Sequence, residues 1–348
     1  CASASTLSGM TLTGTGTVVI TGAVTNQDYG NIDCGGVTFS TEASPAFAAA
    51  LNASESYTVT GVALTCASAS TLSGMTLTGT GTVAVTALHL TLGADLSGIA
   101  TTNKTAAFDT TGIFVGNLGS VTTTVGNGAE MTLTAARATT KTINGAGDLT
   151  VTSLSSSEYD GESINISGTY EIQGSGTLNT NTSFTPASGS NPTIVPTGNI
   201  TLRAAQINGF AINDGSDGGN DEVNYTVTIT DLEDTANGNF RDIHAVSCTY
   251  KVTDNITALT AKLKNLSTAI SLDILTNKTV TVTLTNGHIA EVLKFVSTTD
   301  NSGLGNTYSN KYITITNGGT LELDIGSGNV TVLSSNFFTV TDTTLDDA

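Results

Sequence analysis

Charge is scarce in this chain. Asp, Glu, Lys and Arg make up 11% of its 348 residues, against about 25% in a typical soluble domain. The basic side chains number 11 against 29 acidic ones, for a net charge of −18. Nucleic acid needs clustered Lys and Arg to displace counterions, and none are clustered here, so it is excluded as a partner. An anionic membrane surface is excluded for the same reason. Trp is absent and Phe and Tyr are few, 10 and 8, so no bulky aromatic core is available. No apolar run reaches the roughly 18 residues of a spanning helix, so no membrane span is expected. The four Cys (1, 34, 66 and 248) show no CxxC spacing, which argues against a structural zinc site. An initiator Met and a signal peptide are also missing. The chain opens inside a recurring segment and reads as a processed product or a piece of a longer array.

Thr, Ser and Gly fill the space that charge leaves, with 67, 32 and 38 residues. β-branched Thr favours strands, and Gly permits tight corners. The strongest signal is repetition. CASASTLSGMTLTGTGTV at 1–18 recurs unchanged at 66–83, an offset of 65 that marks tandem duplication. The run GTGTVAVTAL (79–88) aligns with GAGDLTVTSL (145–154), and LSGMTLTGTGTV (72–83) with ISGTYEIQGSGTL (166–178). The shared kernel is a short strand, Gly-x-Gly, then a second strand. One unit cannot bury its apolar face alone, but stacked units can. Residues 1–205 are therefore expected to form a repeat-built β-solenoid or tandem β modules, with at most a turn or two of helix at SPAFAAALNAS (44–54) and TLTAARATT (132–140).

From 206 to 348 the texture changes to strict alternation, as in NYTVTIT (224–230), TVTVTLT (279–285), KYITIT (311–316) and TLELDI (320–325). Alternation with period two marks half-buried strands. Asp254 can cap a helix at about 255–268, where Leu259, Leu263 and Leu266 share a face. A second short helix is expected at 288–297. The fold class is mainly all-β, with a β-sandwich-like module carrying a short helical insertion as its second half.

DLSGI (95–99), EMTLTAARATTKTINGAGDLTVTSL (130–154) and KVTDNITALTAKLKNLSTAISLDILTNKTVTV (251–282) resemble modules of large bacterial β-strand-repeat cell-surface proteins, the S-layer proteins and type I-secreted adhesins. The resemblance implies an extracellular, cell-surface location, a structural or adhesive role and often bound calcium. The glycine-rich nonapeptide of that group is not properly present.

The best candidate for a metal site is NDGSDGGND (213–221). Asp214, Asp217 and Asp221 offer hard oxygen ligands, Asn213 and Asn220 add carbonyls, and the glycines let the loop wrap a cation such as calcium. The alternative is a solvated acidic turn. Cys1, Cys34 and Cys66 fall at similar intervals, which makes them disulfide candidates if they stack on neighbouring coils, or buried free thiols otherwise. His89, His244 and His288 stand isolated, and neither a Gly-x-Ser-x-Gly elbow nor a phosphate-binding loop occurs, so the reading is not an enzyme. Thr-x-Thr pairs suggest a water-ordering face, but their irregular intervals favour ordinary outward-facing strand Thr. The expected function is a self-assembling surface-layer or filament subunit whose main partner is further copies of itself. The alternative is an adhesin stalk or binding module, with cell-surface polysaccharide as a second partner. A carbohydrate-active β-helix enzyme ranks last.

Overall fold

A computed structural model describes residues 4–21, 27–39, 50–52, 55–66, 68–155, 159–178, 181–186, 191–215, 223–235, 238–240 and 242–256. It also describes the backbone strands 270–274, 279–283, 313–316, 320–324 and 338–340. The molecule is a parallel β-solenoid. Its contacts divide it into two units. The first holds 1–152, 159–170 and 185–190, and the second holds 153–158, 171–184 and 191–348.

In the first unit the strands Thr17–Ile20, Gly36–Phe39, Ser56–Val59, Thr76–Val85, Ile99–Phe108, Thr122–Val125, Ile143–Gly145 and Ile164–Ile166 lie side by side in chain order. Every ladder is parallel. Thr58 pairs with Thr78, and Thr78 in turn with Ala100. A coil therefore takes up roughly 20 residues, at the short end of solenoid repeats. Residues alternate in and out along each strand, and the inward set stacks into columns. Val37, Tyr57, Leu77 and Ile99 form one, and Cys66, Val85 and Ala106 another, all buried. Tyr29, Phe39 and Tyr57 pack together, with ring centroids 6.3 and 5.9 Å apart.

The offset between the two identical segments spans about three such coils, so they do not stack on each other. The neighbours of Thr76–Val85 are Ser56–Val59 and Ala63–Cys66 on one side and Ile99–Phe108 on the other. These share only the in-out alternation. The two copies nevertheless share the contacts of their first turn, although the first forms two short strands, Leu12–Thr13 and Thr17–Ile20, where the second forms one, Thr76–Val85. Gly9 donates to Asp28 O and Gly74 to Asp95 O, each at 2.8 Å, and Ser8 Oγ and Ser73 Oγ accept from the amides of Asp28 and Asp95 at 3.0 and 2.9 Å. A short helical corner opens each copy, at Ala4–Leu7 and Ala69–Thr71. It recurs at Ala135–Ala138, inside the TLTAARATT segment, and in the second unit at Ala204–Ile207. Helical corners also stand one coil further on, at Leu88–Thr91 and Leu232–Thr235, so the corner is common to several turns while the sequence repeat spans about three.

The second unit continues the pattern. Tyr170–Thr177 pairs with Thr193–Arg203, and that strand with Val223–Thr230. The ladder passes on to Ala245–Val252, Ile270–Ile274, Ile313–Thr316 and Phe338–Val340. All of these pairings are parallel, as is Thr279–Thr283 with Thr320–Asp324. The β-sandwich-like arrangement expected for 206–348 is therefore corrected to more solenoid. Period-two alternation marks a strand with one buried face in either architecture, and so it could not separate them. The ladder also crosses position 205 without a break, since Arg203 pairs with Thr230. Of the helix expected at about 255–268, nearly all lies outside the described residues, as do 288–297 and 44–49. Ala50–Leu51 is a strand. No helix of the described residues is long and apolar enough to cross a membrane.

The Gly-x-Gly kernel has a second cause besides corner flexibility. Gly145 has φ +133°, and a Cβ there would lie 2.0 Å from Val125 O on the turn beneath; Gly147 would place one 2.1 Å from Gly126 O. The backbones approach too closely for any side chain. Gly145→Ala is expected to cost about 2–5 kcal/mol, combining backbone strain with overpacking. Gly128→Ala, at φ +77° with nothing within 4 Å, should cost only the left-handed penalty of about 1–2 kcal/mol. Denaturant unfolding of the two variants checks this, and equal losses would show that close approach is not what selects glycine.

Burial pushes the Cys66 thiol up to about 12. Its thiolate is therefore scarce near neutral pH and shielded from reagents. Iodoacetamide applied to the native chain at about pH 8, below the usual thiol pKa, should alkylate half-buried Cys34 and leave Cys66 unmodified until unfolding. Peptide mass spectrometry reads the outcome, and equal labelling would remove Cys66 from the core column.

Candidate functional site

Ala211–Ile212 pairs with the start of Thr193–Arg203, and the acidic loop leaves the sheet at Asn213. Asn213 is buried, its amide donates to Ile194 O at 3.2 Å, and its Oδ1 accepts from the Gly215 amide at 2.9 Å. This Asx turn, with Gly215 at φ +79°, explains the Asn and the Gly locally. Asp214 is exposed. Asp217, Asn220 and Asp221 lie outside the described residues. The turn also meets a residue that no spacing in the sequence could suggest. A Cβ on Gly215 would lie 3.3 and 3.5 Å from the two carboxylate oxygens of Glu171, which the ladder Glu171–Thr193–Ala211 brings alongside. Among the described residues, no three His, Cys, Asp or Glu side chains gather as metal ligands.

The cysteines have separate surroundings. Cys34 and Cys66 are free thiols, as is Cys248, while Cys1 lies outside the described residues. The interval from Cys34 to Cys66 is about one and a half coils, and so the two meet different neighbours. Glu55 Oε1 accepts from the Cys34 amide at 2.6 Å, and the Cys34 thiol lies 3.3 Å from Gly36 O. Cys66 pairs in register with Val85. Glu55 is buried at 4% exposure, and satisfying the Cys34 amide is a structural duty for it.

The two described histidines, His89 and His244, each have local partners of their own. His89 packs edge-on against Phe108, with ring centroids 6.3 Å apart, and the His244 amide donates to Ile212 O at 2.7 Å. His288 lies outside the described residues. Arg203 is clamped by Asp231 at 2.7 Å and Asp234 at 3.0 Å. Its hydrogen bond to Asp231, together with that charge, raises its pKa. The clamp holds the corner Leu232–Thr235 and leaves the guanidinium no free carboxylate-binding edge. The Tyr159 and Tyr170 hydroxyls, both buried, hydrogen-bond to each other, and burial raises the pKa of each.

The outward face shows an order that the sequence intervals hide. Thr201, Thr228, Thr249, Ser271, Thr314 and Thr339 occupy one register column of the second unit. Their separations along the chain are uneven, longest from Ser271 to Thr314, because connections of different length lie between strands of constant spacing. Irregular intervals along the chain therefore do not by themselves decide against a ranked Thr face, and Thr201, Thr228 and Thr249 are, as expected, partly exposed residues of ordinary strands. Two of the columns flanking it are Thr226 with Ser247, and Thr230 with Lys251 by the same register.

Comparison with protein-family models, with curated proteins and with solved structures finds no match to this chain.

Proposed function

We propose that this chain is a non-enzymatic extracellular structural protein, a surface-layer or filament subunit that assembles through contacts between its β-strands. The observation that carries the reading is the continuous parallel pairing from Thr17–Ile20 to Ile164–Ile166 in one unit and from Tyr170–Thr177 to Phe338–Val340 in the other. Such a ladder commits nearly every inward side chain to columns and its closest backbone contacts to glycine. What remains outward is mostly small and hydroxylated. A body of this kind suits length and stiffness, because stability sums over nearest-neighbour turns. Calcium bound by the 213–221 loop is part of the proposal, supported by the Glu171 carboxylate beside the turn, and cell-surface polysaccharide is a further partner in it. Negative-stain microscopy of the purified chain, with calcium and with chelator, is expected to show sheets or fibres, and calcium should raise the melting temperature. Isolated particles under all conditions would favour the adhesin stalk instead, and a melting temperature indifferent to chelation would retire the cation.

A second reading has one specific observation in its favour. The column Thr201–Thr228–Thr249 sets hydroxyls and methyls about 4.8 Å apart from rung to rung, close to an oxygen repeat of ice, on a sheet whose backbone continues the same rank. That arrangement can order water against a crystal face. Thermal hysteresis measured on the chain, and its loss in Thr228→Tyr, is the expected result if this reading holds. A freezing point indistinguishable from that of a buffer control discards it.

A further inference from the structure

Large aliphatic side chains at outward positions are rare among the described residues, and the most exposed of them are neighbours. Leu90 is 62%, Ile113 61% and Val115 56% exposed. Leu90 and half-buried Leu92 lie on one turn of the first unit, and Ile113 and Val115 on the next. The Val115 and Gly116 amides donate to Leu92 O at 2.8 and 3.0 Å, and Leu92 Cδ2 lies 3.4 Å from where a Gly112 Cβ would stand. Leu92, Ile113 and Val115 are thus neighbours across the two turns, and Leu90 lies two residues before Leu92. Elsewhere these outward positions carry polar residues, and the register partner of Ile113 is Thr132. The strand Gly112–Ile113 also ends its sheet, with a ladder partner, Glu130–Thr134, on one side only. Its other side faces Leu92 of the preceding turn, so what is left exposed is the apolar side chains themselves, and an exposed apolar patch is a place where another chain can dock.

The margin of the patch tells what kind of chain. Arg137 reaches over from the following turn, and its Nε donates to Val115 O at 2.9 Å and to Gly116 O at 3.0 Å. Nη1 donates to Thr134 Oγ1 at 3.3 Å. Arg137 makes no ion pair among the described residues. Four residues further along the same turn, Lys141 Nζ donates to Gly119 O at 2.8 Å. A basic rim around an apolar centre is complementary to an acidic protein surface. The chain itself supplies one, with 29 acidic residues against 11 basic. Because two different surfaces would then meet, the contact is head-to-tail and can propagate without closing.

We propose that Leu90, Leu92, Ile113 and Val115, rimmed by Arg137, form the surface on which an acidic face of a second copy of this chain docks. The inference rests on the self-assembly reading and names its contact. Sedimentation velocity of the full chain over a concentration series tests it. The comparison is with the triple variant Leu90→Thr, Ile113→Thr, Val115→Thr, in which Thr at 113 extends an existing Thr column. The expected result is association of the unaltered chain that weakens with salt, and self-affinity about tenfold or more lower in the triple variant, as for loss of an apolar contact centre. Arg137→Gln should weaken association less and flatten its salt dependence. Hydrogen exchange on the unaltered chain, at low and high concentration, should show protection gained at 112–116, which covers the case of a triple variant that does not fold. If the unaltered chain associates, and the folded variant associates equally or exchange at 112–116 is unchanged, the patch is overturned and the assembly reading survives. A chain that stays monomeric throughout overturns both.

Discussion

Every turn of this protein hangs on the backbone hydrogen bonds that join it to the turn before and the turn after. Parallel pairing, its register shifted only at local irregularities such as Thr101–Asn103, Gly174–Gly176 and Val223–Thr226, fixes the spacing of neighbouring strands, and with it the separation of what they carry. The inward columns follow, because residues that pair in register must also stack. The glycine corners follow as well. At Gly145 and Gly147 the turn beneath comes so near that its carbonyl oxygens occupy the place of a Cβ. A side chain there would push apart the bonds on which the rest depends.

Variation is confined to what the ladder leaves free. Loops lengthen and shorten between strands, so that the short step from Thr58 to Thr78 in the first unit and the longer one from Thr201 to Thr228 in the second belong to the same kind of ladder. Corners accept a short helix, as at Ala135–Ala138, and the helical corner Leu232–Thr235 is held as well by an ion-pair clamp of Arg203 with Asp231 and Asp234. Buried polar side chains are few among the described residues, and three of them serve the backbone; Thr101 Oγ1 donates to Asn103 O. Glu55 satisfies the amide of Cys34, and Asn213 closes an Asx turn. This economy concentrates any specificity on the outer surface, where exposed Leu90, Ile113 and Val115 stand out.

Much of the fold was legible in the chain. Repetition, scarce charge, abundant Thr and Gly-x-Gly corners pointed to stacked strands. TVTVTLT, KYITIT and TLELDI marked strands where strands are found, since alternation is a local property of one buried face. The sandwich expected for the second half failed for the same reason. Alternation records that a face is buried and is silent on whether the neighbour runs parallel or antiparallel. The candidate site was legible in part. Asn213 and Gly215 act as their residue types suggest, but Glu171, far earlier in the chain, reaches the loop only through the coil.

Composition and spacing alone determined that this chain is rich in strands, turns on glycine and repeats at a long fixed offset, because propensity, alternation and duplication are written along the backbone. Only the tertiary structure decided that this repeat spans about three turns and that its identical copies therefore never touch. It also decided that Thr residues at uneven intervals share one column, and that Leu92 meets Val115. Those facts depend on coil length and register. Both are set by the hydrogen bonds between turns, and no count of residues along the chain contains them.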